Sequence, residues 1–460
     1  MNQNPAIEEG NGAASDSAAL HTDRYELGNL QAARYSGIAS RRAVFEVFAR
    51  RLPAGRRYGV FAGLGRLLEQ LERFRFTELQ LRWLESQGVV DGSMAAHLAG
   101  EPFAGEVWAY REGEIYFPHS PVLTVVGTFA EGVLLETLVL GICNWDSGVA
   151  SAASRMVTAA RGLPIIEMGS RRTHQEAAVD VARAAYIAGF GATSNLEAGF
   201  RYGIPVRGTA AHCLTLAHAD ELEAFRAQVA TQGPETTLLV DTYDWQQGIR
   251  NAVEAAGPHL GGIRIDSGDL LSELPAAHQL LRDLGAASAR IVLTGGLDEY
   301  AMDELSRGPA GGFGAGEKLI AHPSPSFVYK LVAIAGSDDP SAPLRPVAKR
   351  SLGKASAGGR KWAYRAFDSD GFALAENLLV SDRVPAEPAA GVPLQHRFVA
   401  GGEVLLRHSV EDARDHHLAV RSRLRPEHLS IQSGPPAMLA STYGSAGEGQ
   451  QVSNAEVRPR

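Results

Sequence analysis

Cysteine is scarce in this sequence: of 460 residues, only Cys143 and Cys213 carry a thiol. Two cysteines cannot build a disulfide framework or, by themselves, a zinc site, and such sparse use fits a reducing, cytoplasmic compartment. Long apolar runs are missing too. The most apolar stretch, 133–143, is interrupted by Glu136 and is too short to span a bilayer, so no membrane insertion is expected. Residues 1–20 have neither the basic start nor the apolar run of a secretion signal and read as a disordered leader. An excess of positive charge is also lacking. With 44 basic against 52 acidic side chains the formal net charge is -8, which argues against a general binder of nucleic acid or anionic membrane. What is present is an ordinary globular composition, 45% hydrophobic and 21% charged, in a chain long enough for two or three domains.

Residues 21–126 read as an N-terminal α/β domain. Helical patterns at 26–35, 60–74 and 77–87 flank short alternating strands at 43–49, 106–110 and 114–117. The stretch 131–160 reads as two apolar helices separated near Asn144-Trp145-Asp146. Between 163 and about 335 the texture changes to short apolar runs (163–168, 192–195, 204–208, 237–240, 262–265, 290–293 and 311–313) that alternate with helical stretches. Apolar strand followed by helix, repeated, argues for a parallel sheet covered by helices. The expected fold class is therefore α/β: an incomplete (βα) barrel over 127–340, with a second α/β domain formed by the N-terminal and C-terminal segments. Residues 341–432, which include a basic, Gly-rich turn at 349–361, are expected to pack with the N-terminal domain, and 433–460 to form a disordered tail.

In a βα barrel the loops that follow the strands carry the chemistry. Here those positions are polar as a set. Arg171-Arg172 precede Thr173-His-Gln-Glu176, which reads as a capping box, and two guanidinium groups beside a helix start suit a carboxylate or phosphate as well as a plain charged surface. Small residues, Gly208-Thr-Ala-Ala211, lead into His212, so its imidazole is available as base, ligand or nucleophile, a buried structural histidine being the alternative. No HxH or HExxH spacing accompanies it, which disfavours zinc. Adjacent Cys213 reads as packing. Asp241 ends one strand and could orient His212; Asp244, with Gln247 after it, reads as a helix cap. Arg264 and Asp266 share one side of a strand end, where Asp266 suits sugar hydroxyls or a magnesium-bound water, and Asp269 is either a further acceptor or a helix cap. The run Gly311-Gly-Phe-Gly-Ala-Gly316, with Thr294-Gly-Gly296, offers backbone N–H groups to a phosphate, notably at Gly295, Gly296, Gly314 and Gly316.

These segments together resemble nicotinate phosphoribosyltransferase over roughly 22–375. The carrying motifs are Thr22-Asp-Arg-Tyr-Glu26, Phe61-Ala-Gly-Leu64, Glu167-Met-Gly-Ser-Arg-Arg172, Gly191-Ala-Thr-Ser-Asn195, Gly203-Ile-Pro-Val-Arg-Gly-Thr-Ala-Ala-His212, Arg264-Ile-Asp-Ser-Gly-Asp269 and Val328-Tyr-Lys-Leu331. The resemblance implies transfer of phosphoribosyl from phosphoribosyl pyrophosphate to nicotinate, with magnesium, and ATP hydrolysis coupled through a phosphohistidine. On the matching motifs His212 is that histidine and Asp241 its orienting carboxylate. Thr209, Asp266 and Asp269 would meet the phosphoribosyl substrate, and Arg264 and Arg171 the nicotinate carboxylate or a neighbouring phosphate. Tyr25 would stack on the nicotinate ring from a second subunit, which implies a homodimer with shared active sites. The motifs do not fix the metal ligands. The chain departs from the family pattern at Ala315, at Thr294-Gly-Gly296, which lacks the usual Asn or Asp, and at Phe117-Pro-His-Ser-Pro121, which lacks a Glu. A transferase for nicotinamide or quinolinate, and a non-catalytic homologue that senses nucleotide, remain open alternatives.

Overall fold

A computed structural model describes residues 17–100, 102–351, 356–385 and 391–443. They fall into two compact units. One holds the described residues up to Ser147, those from Ser324 to His428 and those from Ser433 onward; the other holds Gly148–Pro323 and Leu429–Gln432.

The apolar runs of the second unit form a six-stranded parallel sheet: β1 (Ile165–Glu167), β2 (Ala192–Thr193), β3 (Thr237–Leu239), β4 (Gly262–Ile265), β5 (Arg290–Leu293) and β6 (Gly312–Ala315). Their spatial order is β2-β1-β6-β5-β4-β3. Ile165, Leu238, Ile263, Ile265, Ile291, Leu293 and Phe313 are buried, as expected of parallel strands covered by helices such as Gln175–Ile187, Glu221–Gln232, Trp245–Ala256 and Leu270–Asp283. The run at 204–208 is less than a strand. It makes one parallel bridge, Val206 to Thr193, flanked by Thr193 N–H to Pro205 O (3.0 Å) and Arg207 N–H to Thr193 O (2.9 Å). Pro205 has no N–H to extend a ladder, which accounts for the short pairing. This segment is one edge of the curled sheet and β3 is the other, so the barrel is incomplete, as the sequence pattern implies.

In the first unit, N-terminal and C-terminal segments share one seven-stranded sheet. Its order is Leu344–Pro346, Phe327–Ala335, Arg42–Ala49, Leu123–Thr128, Glu106–Ala109, His396–Ala400 and Glu403–Val404. Phe45 on Arg42–Ala49 stacks on Tyr329 with centroids 5.0 Å apart. A four-stranded sheet joins Val392–Pro393, Lys361–Phe367, Ala373–Val380 and Ala440–Tyr443. The buried Arg365 guanidinium bonds Glu376 (2.8 Å) and the Ile115 carbonyl (2.7 Å), while Glu114 accepts from His416 (2.8 Å).

Several expectations change. Residues 136–159 are one helix, Glu136–Ala159, running through the polar triplet at 144–146, with the short helix Phe129–Leu134 before it. Those polar groups are tertiary partners: Asn144 Oδ1 accepts from Phe327 N–H (2.8 Å), and Asp146 pairs with Arg66 (2.6 Å). Phe327–Ala335 lies inside the stretch 127–340 assigned to the barrel by texture, yet it pairs with Arg42–Ala49 in the first unit. At the end of the expected leader Ala18 and Ala19 are buried, and Ala18 N–H bonds Arg73 O at 2.9 Å; residues 1–16 lie outside the described residues. Within the expected tail, Ala440–Tyr443 pairs parallel with Ala373–Val380, and 444–460 lie outside the described residues. So does 352–355 of the basic turn. No helix among the described residues is long and apolar enough to cross a membrane.

Candidate active site

Because all six strands are parallel, the residues that follow them gather along one edge of the sheet. Arg264, on β4, is the hub. Its Nε–H donates to Thr294 Oγ1 (2.8 Å) beyond β5, one terminal nitrogen donates to Thr209 Oγ1 (3.0 Å) and the Ala210 carbonyl (3.4 Å), and the other donates to Asp266 Oδ1 (2.7 Å). The Thr294 hydroxyl also donates to Asp266. Burial works to raise the pKa of Asp266, but the Thr294 hydroxyl and the Arg264 guanidinium outweigh it and hold the carboxyl below its usual value. Asp266 is thereby kept ionised.

His212 opens the short helix His212–Ala217. Its Nδ1 lies 3.0 Å from Thr242 Oγ1, and its Nε2 lies 4.0 Å from Asp266 Oδ2. Asp241 does not bond His212. Its Oδ2 accepts from Asp266 N–H (2.9 Å) and from the Ser267 hydroxyl (2.6 Å), so it braces the turn after β4. Side chains of successive residues after β3 leave in different directions, which hands the imidazole to Thr242 and the turn to Asp241. Asp241 Oδ1 is buried and has no hydrogen-bond partner among the described residues.

Other expected positions divide. Arg171 is exposed and makes no hydrogen bond or ion pair among the described residues, whereas Arg172 reaches Glu317 at 3.5 Å. The helix after them is capped by His174, one residue later than the capping box expected at Thr173; its Nδ1 accepts from Ala177 N–H at 3.4 Å. Asp244 caps its helix as expected, accepting from Gln247 N–H at 2.8 Å. Asp269 occupies the position before Leu270–Asp283 but forms no side-chain cap and stays exposed. Cys213 is exposed rather than packed, because a helix, not a strand, begins at His212.

The glycine run is also redistributed. Gly312–Ala315 is β6 itself, so Gly314 is buried in a strand and no loop is formed there. A Cβ on Gly314 would stand 2.7 Å from Met168 Sδ, and the bare backbone permits that close packing. The turn after β5 is the strained one. Gly295 and Gly296 have φ of 102° and 71°, and a Cβ on Gly295 would lie 2.2 Å from the Asp266 carbonyl oxygen. Glu167, which the sequence reading left without a role, is buried at the end of β1; it accepts from the Thr193 hydroxyl (2.6 Å) and from Gly169 N–H, and burial raises its pKa.

In the first unit Tyr25 lies in the first turn of Arg24–Tyr35 with half of its surface exposed. Burial of the rest and the nearby Glu136 carboxylate push its phenol up to about 12. Its neighbour Glu26 is fully buried and accepts from Thr137 N–H (3.0 Å) and Oγ1 (2.6 Å), and from the Thr22 hydroxyl. That network fixes the helix on which Tyr25 rides.

A family model described as the nicotinate phosphoribosyltransferase N-terminal domain matches residues 20–144. Nicotinate phosphoribosyltransferase pncB1 of Mycobacterium tuberculosis is 47% identical over 445 residues, covering 94% of this chain and 97% of its own length. The chain belongs to the nicotinate phosphoribosyltransferase family. A second member, from Bacillus subtilis, is 37% identical over 335 residues, covering 70% of this chain and 68% of its own. Among solved structures, human nicotinic acid phosphoribosyltransferase superposes with a TM-score of 0.77 at 25% identity, over 91% of this chain and 97% of that one. The strand-end cluster thus stands in the fold of nicotinate phosphoribosyltransferases.

Proposed function

We propose that the chain transfers phosphoribosyl from phosphoribosyl pyrophosphate to nicotinate, giving nicotinate mononucleotide and pyrophosphate, with ATP hydrolysis coupled through His212. The observation that carries the reading is the bonded cluster of Thr209, Arg264, Asp266 and Thr294, with His212 Nε2 4.0 Å from Asp266, in a member of this family. In transfer, the bond from ribose C1 to the pyrophosphate oxygen breaks and a bond from C1 to the nicotinate ring nitrogen forms. Cationic character at C1 is stabilised by a carboxylate that stays charged, which the Arg264 and Thr294 bonds secure for Asp266. In the tautomer that donates Nδ1–H to the Thr242 hydroxyl 3.0 Å away, His212 carries its lone pair on Nε2. That nitrogen takes the γ-phosphoryl group of ATP as ADP leaves, and water later releases phosphate.

Among the described residues no group of three His, Cys, Asp or Glu could hold a metal ion alone. Magnesium, however, takes one or two protein carboxylates and completes its shell with substrate phosphates and water. The unpartnered Oδ1 of Asp241, with Asp266 beside it, fits that role. Bound there, magnesium would neutralise charge on the departing pyrophosphate. The left-handed turn Gly295-Gly296 supplies backbone donors for a phosphate group. The reading includes a homodimer in which Tyr25 stacks on nicotinate held by the other protomer; its half-exposed ring supports this. A reducing cytoplasm suits the exposed free thiol of Cys213.

The test is product formation by purified protein with phosphoribosyl pyrophosphate and magnesium, offered nicotinate or nicotinamide, each with and without ATP. Nicotinate mononucleotide is expected, faster with ATP. No product from nicotinate, or a preference for nicotinamide, would overturn the assignment.

A further inference from the structure

The first unit contains a cavity of about 300 Å³ that the transferase reading does not use. Arg365, Glu114, Leu394 and Ala373 are its buried lining, and Arg423, His396 and Val392 are its exposed lining; Arg111 is half-buried between them. The volume is at the lower end of small-molecule sites. Its charges do not cancel. Arg365 is matched by Glu376 (2.8 Å) and Glu114 (3.5 Å), and His416 takes the other oxygen of Glu114 (2.8 Å). Neither Arg111 nor Arg423 reaches a carboxylate within ion-pair distance among the described residues. Asp412, which feels the Arg111 charge, is held by Ser409 in a helix cap. The Arg423 guanidinium lies 5.0 Å over the Phe367 ring.

Two of the lining guanidinium groups are also short of acceptors. Nε of Arg111 and Nε of Arg365 are both buried with no hydrogen-bond partner among the described residues. A buried guanidinium N–H without an acceptor is costly, and such a group in a native protein calls for a missing partner. Two unmatched positive charges, two orphaned donors and an apolar wall of Val392, Leu394, Phe367 and Val420 describe one kind of ligand. We propose that this cavity binds a small organic anion, its carboxylate or phosphate head held by Arg111 and Arg423 and its apolar body laid against Phe367 and Leu394. Burial and the Arg111 charge hold His396 below its ordinary pKa, and a bound anion would relieve that depression.

Calorimetric titration of the full chain with benzoate, phenylphosphate and inorganic phosphate tests this, in wild type, Arg111→Gln and Arg423→Gln. Saturable binding of benzoate or phenylphosphate is expected, weakened about tenfold or more in each variant. Inorganic phosphate, lacking an apolar body, should bind more weakly than either. Unchanged thermal melting and unchanged phosphoribosyl transfer in the variants would show that folding and the strand-end site are intact. Arg111→Lys, which keeps the charge and loses the planar fork, should weaken binding as well. Absence of saturable binding, or equal binding by wild type and both glutamine variants, would overturn the proposal and leave a water-filled cavity.

Discussion

Replacing Thr242 by valine removes the hydroxyl 3.0 Å from His212 Nδ1 while keeping the branched shape of the side chain. A single neutral hydrogen bond contributes about 0.5–1.5 kcal/mol net, so phosphorylation of His212 should slow by about two- to tenfold as the ring loses its preferred tautomer and orientation. Asp241→Asn should act elsewhere. Its carboxylate serves the Asp266 N–H and the Ser267 hydroxyl, so the loss should fall on the turn after β4 and appear as a raised KM for phosphoribosyl pyrophosphate. The assay is rapid-quench labelling of the protein with γ-labelled ATP, with His212→Ala as the unlabelled control, alongside steady-state kinetics for each substrate. Labelling of Thr242→Val at the wild-type rate, with none in Asp241→Asn, would refute this division of labour and make Asp241 the direct partner of the imidazole.

Gly295→Ala places a Cβ in left-handed backbone against the Asp266 carbonyl oxygen, and should cost at least about 1–2 kcal/mol, seen as a lowered Tm. An unchanged Tm would show that the turn can rearrange. Arg365→Met leaves Glu376 and Glu114 buried without their cation, and a loss of about 3–5 kcal/mol in urea unfolding is expected. Arg171→Gln should raise the nicotinate KM by about ten- to hundredfold at nearly constant kcat, because Arg171 is exposed with its donors free. Arg264→Gln should lower kcat and Tm together, since four of its donor contacts are internal. If Tyr25 acts across a dimer, mixing Tyr25→Ala with His212→Ala should recover about a quarter of the wild-type ATP-stimulated activity through hybrids with one intact site; no recovery beyond the sum of the two variants would overturn the shared site.

The strand ends were legible in the sequence because each run of the parallel sheet is short, apolar and closed by a polar residue. Arg264, Asp266, Thr209 and His212 are therefore grouped at strand ends by the pattern alone, and they do lie together. The identity of a hydrogen-bond partner was less legible. Asp241 and Thr242 are adjacent after β3, and charge alone favours the carboxylate, whereas backbone direction gives the histidine to the hydroxyl. Similarly, Asn144-Trp145-Asp146 looks like a break in an apolar helix. The partners that reconcile it with a continuous helix, Arg66 and Phe327, are far away in sequence and leave no local trace. Glu26 gave one usable signal, an acidic residue at an apolar helical position, and it proves to be fully buried. The glycine run at 311–316 misled because glycine serves equally for a phosphate turn and for close strand packing.

The incomplete barrel gives this cluster its physical sense. The edge at 205–207 and the edge at β3 are not joined by backbone hydrogen bonds among the described residues. Side chains cross between them instead: Arg264 from β4 reaches Thr209 and Ala210 beyond one edge, and His212, farther along the same segment, meets Thr242 beyond the other. A closed ladder would fix that seam with many backbone bonds and leave its carbonyls and N–H groups unavailable to substrate. A seam held by side chains keeps the His212 imidazole on a short, partly exposed helix, where its surroundings can change through the phosphoryl transfer proposed for it. Arg264 is then better understood as the clamp of the seam than as a substrate hand, since Thr209, Ala210, Asp266 and Thr294 already engage it. We propose that recognition of the nicotinate carboxylate falls instead to Arg171, which makes no hydrogen bond or ion pair among the described residues.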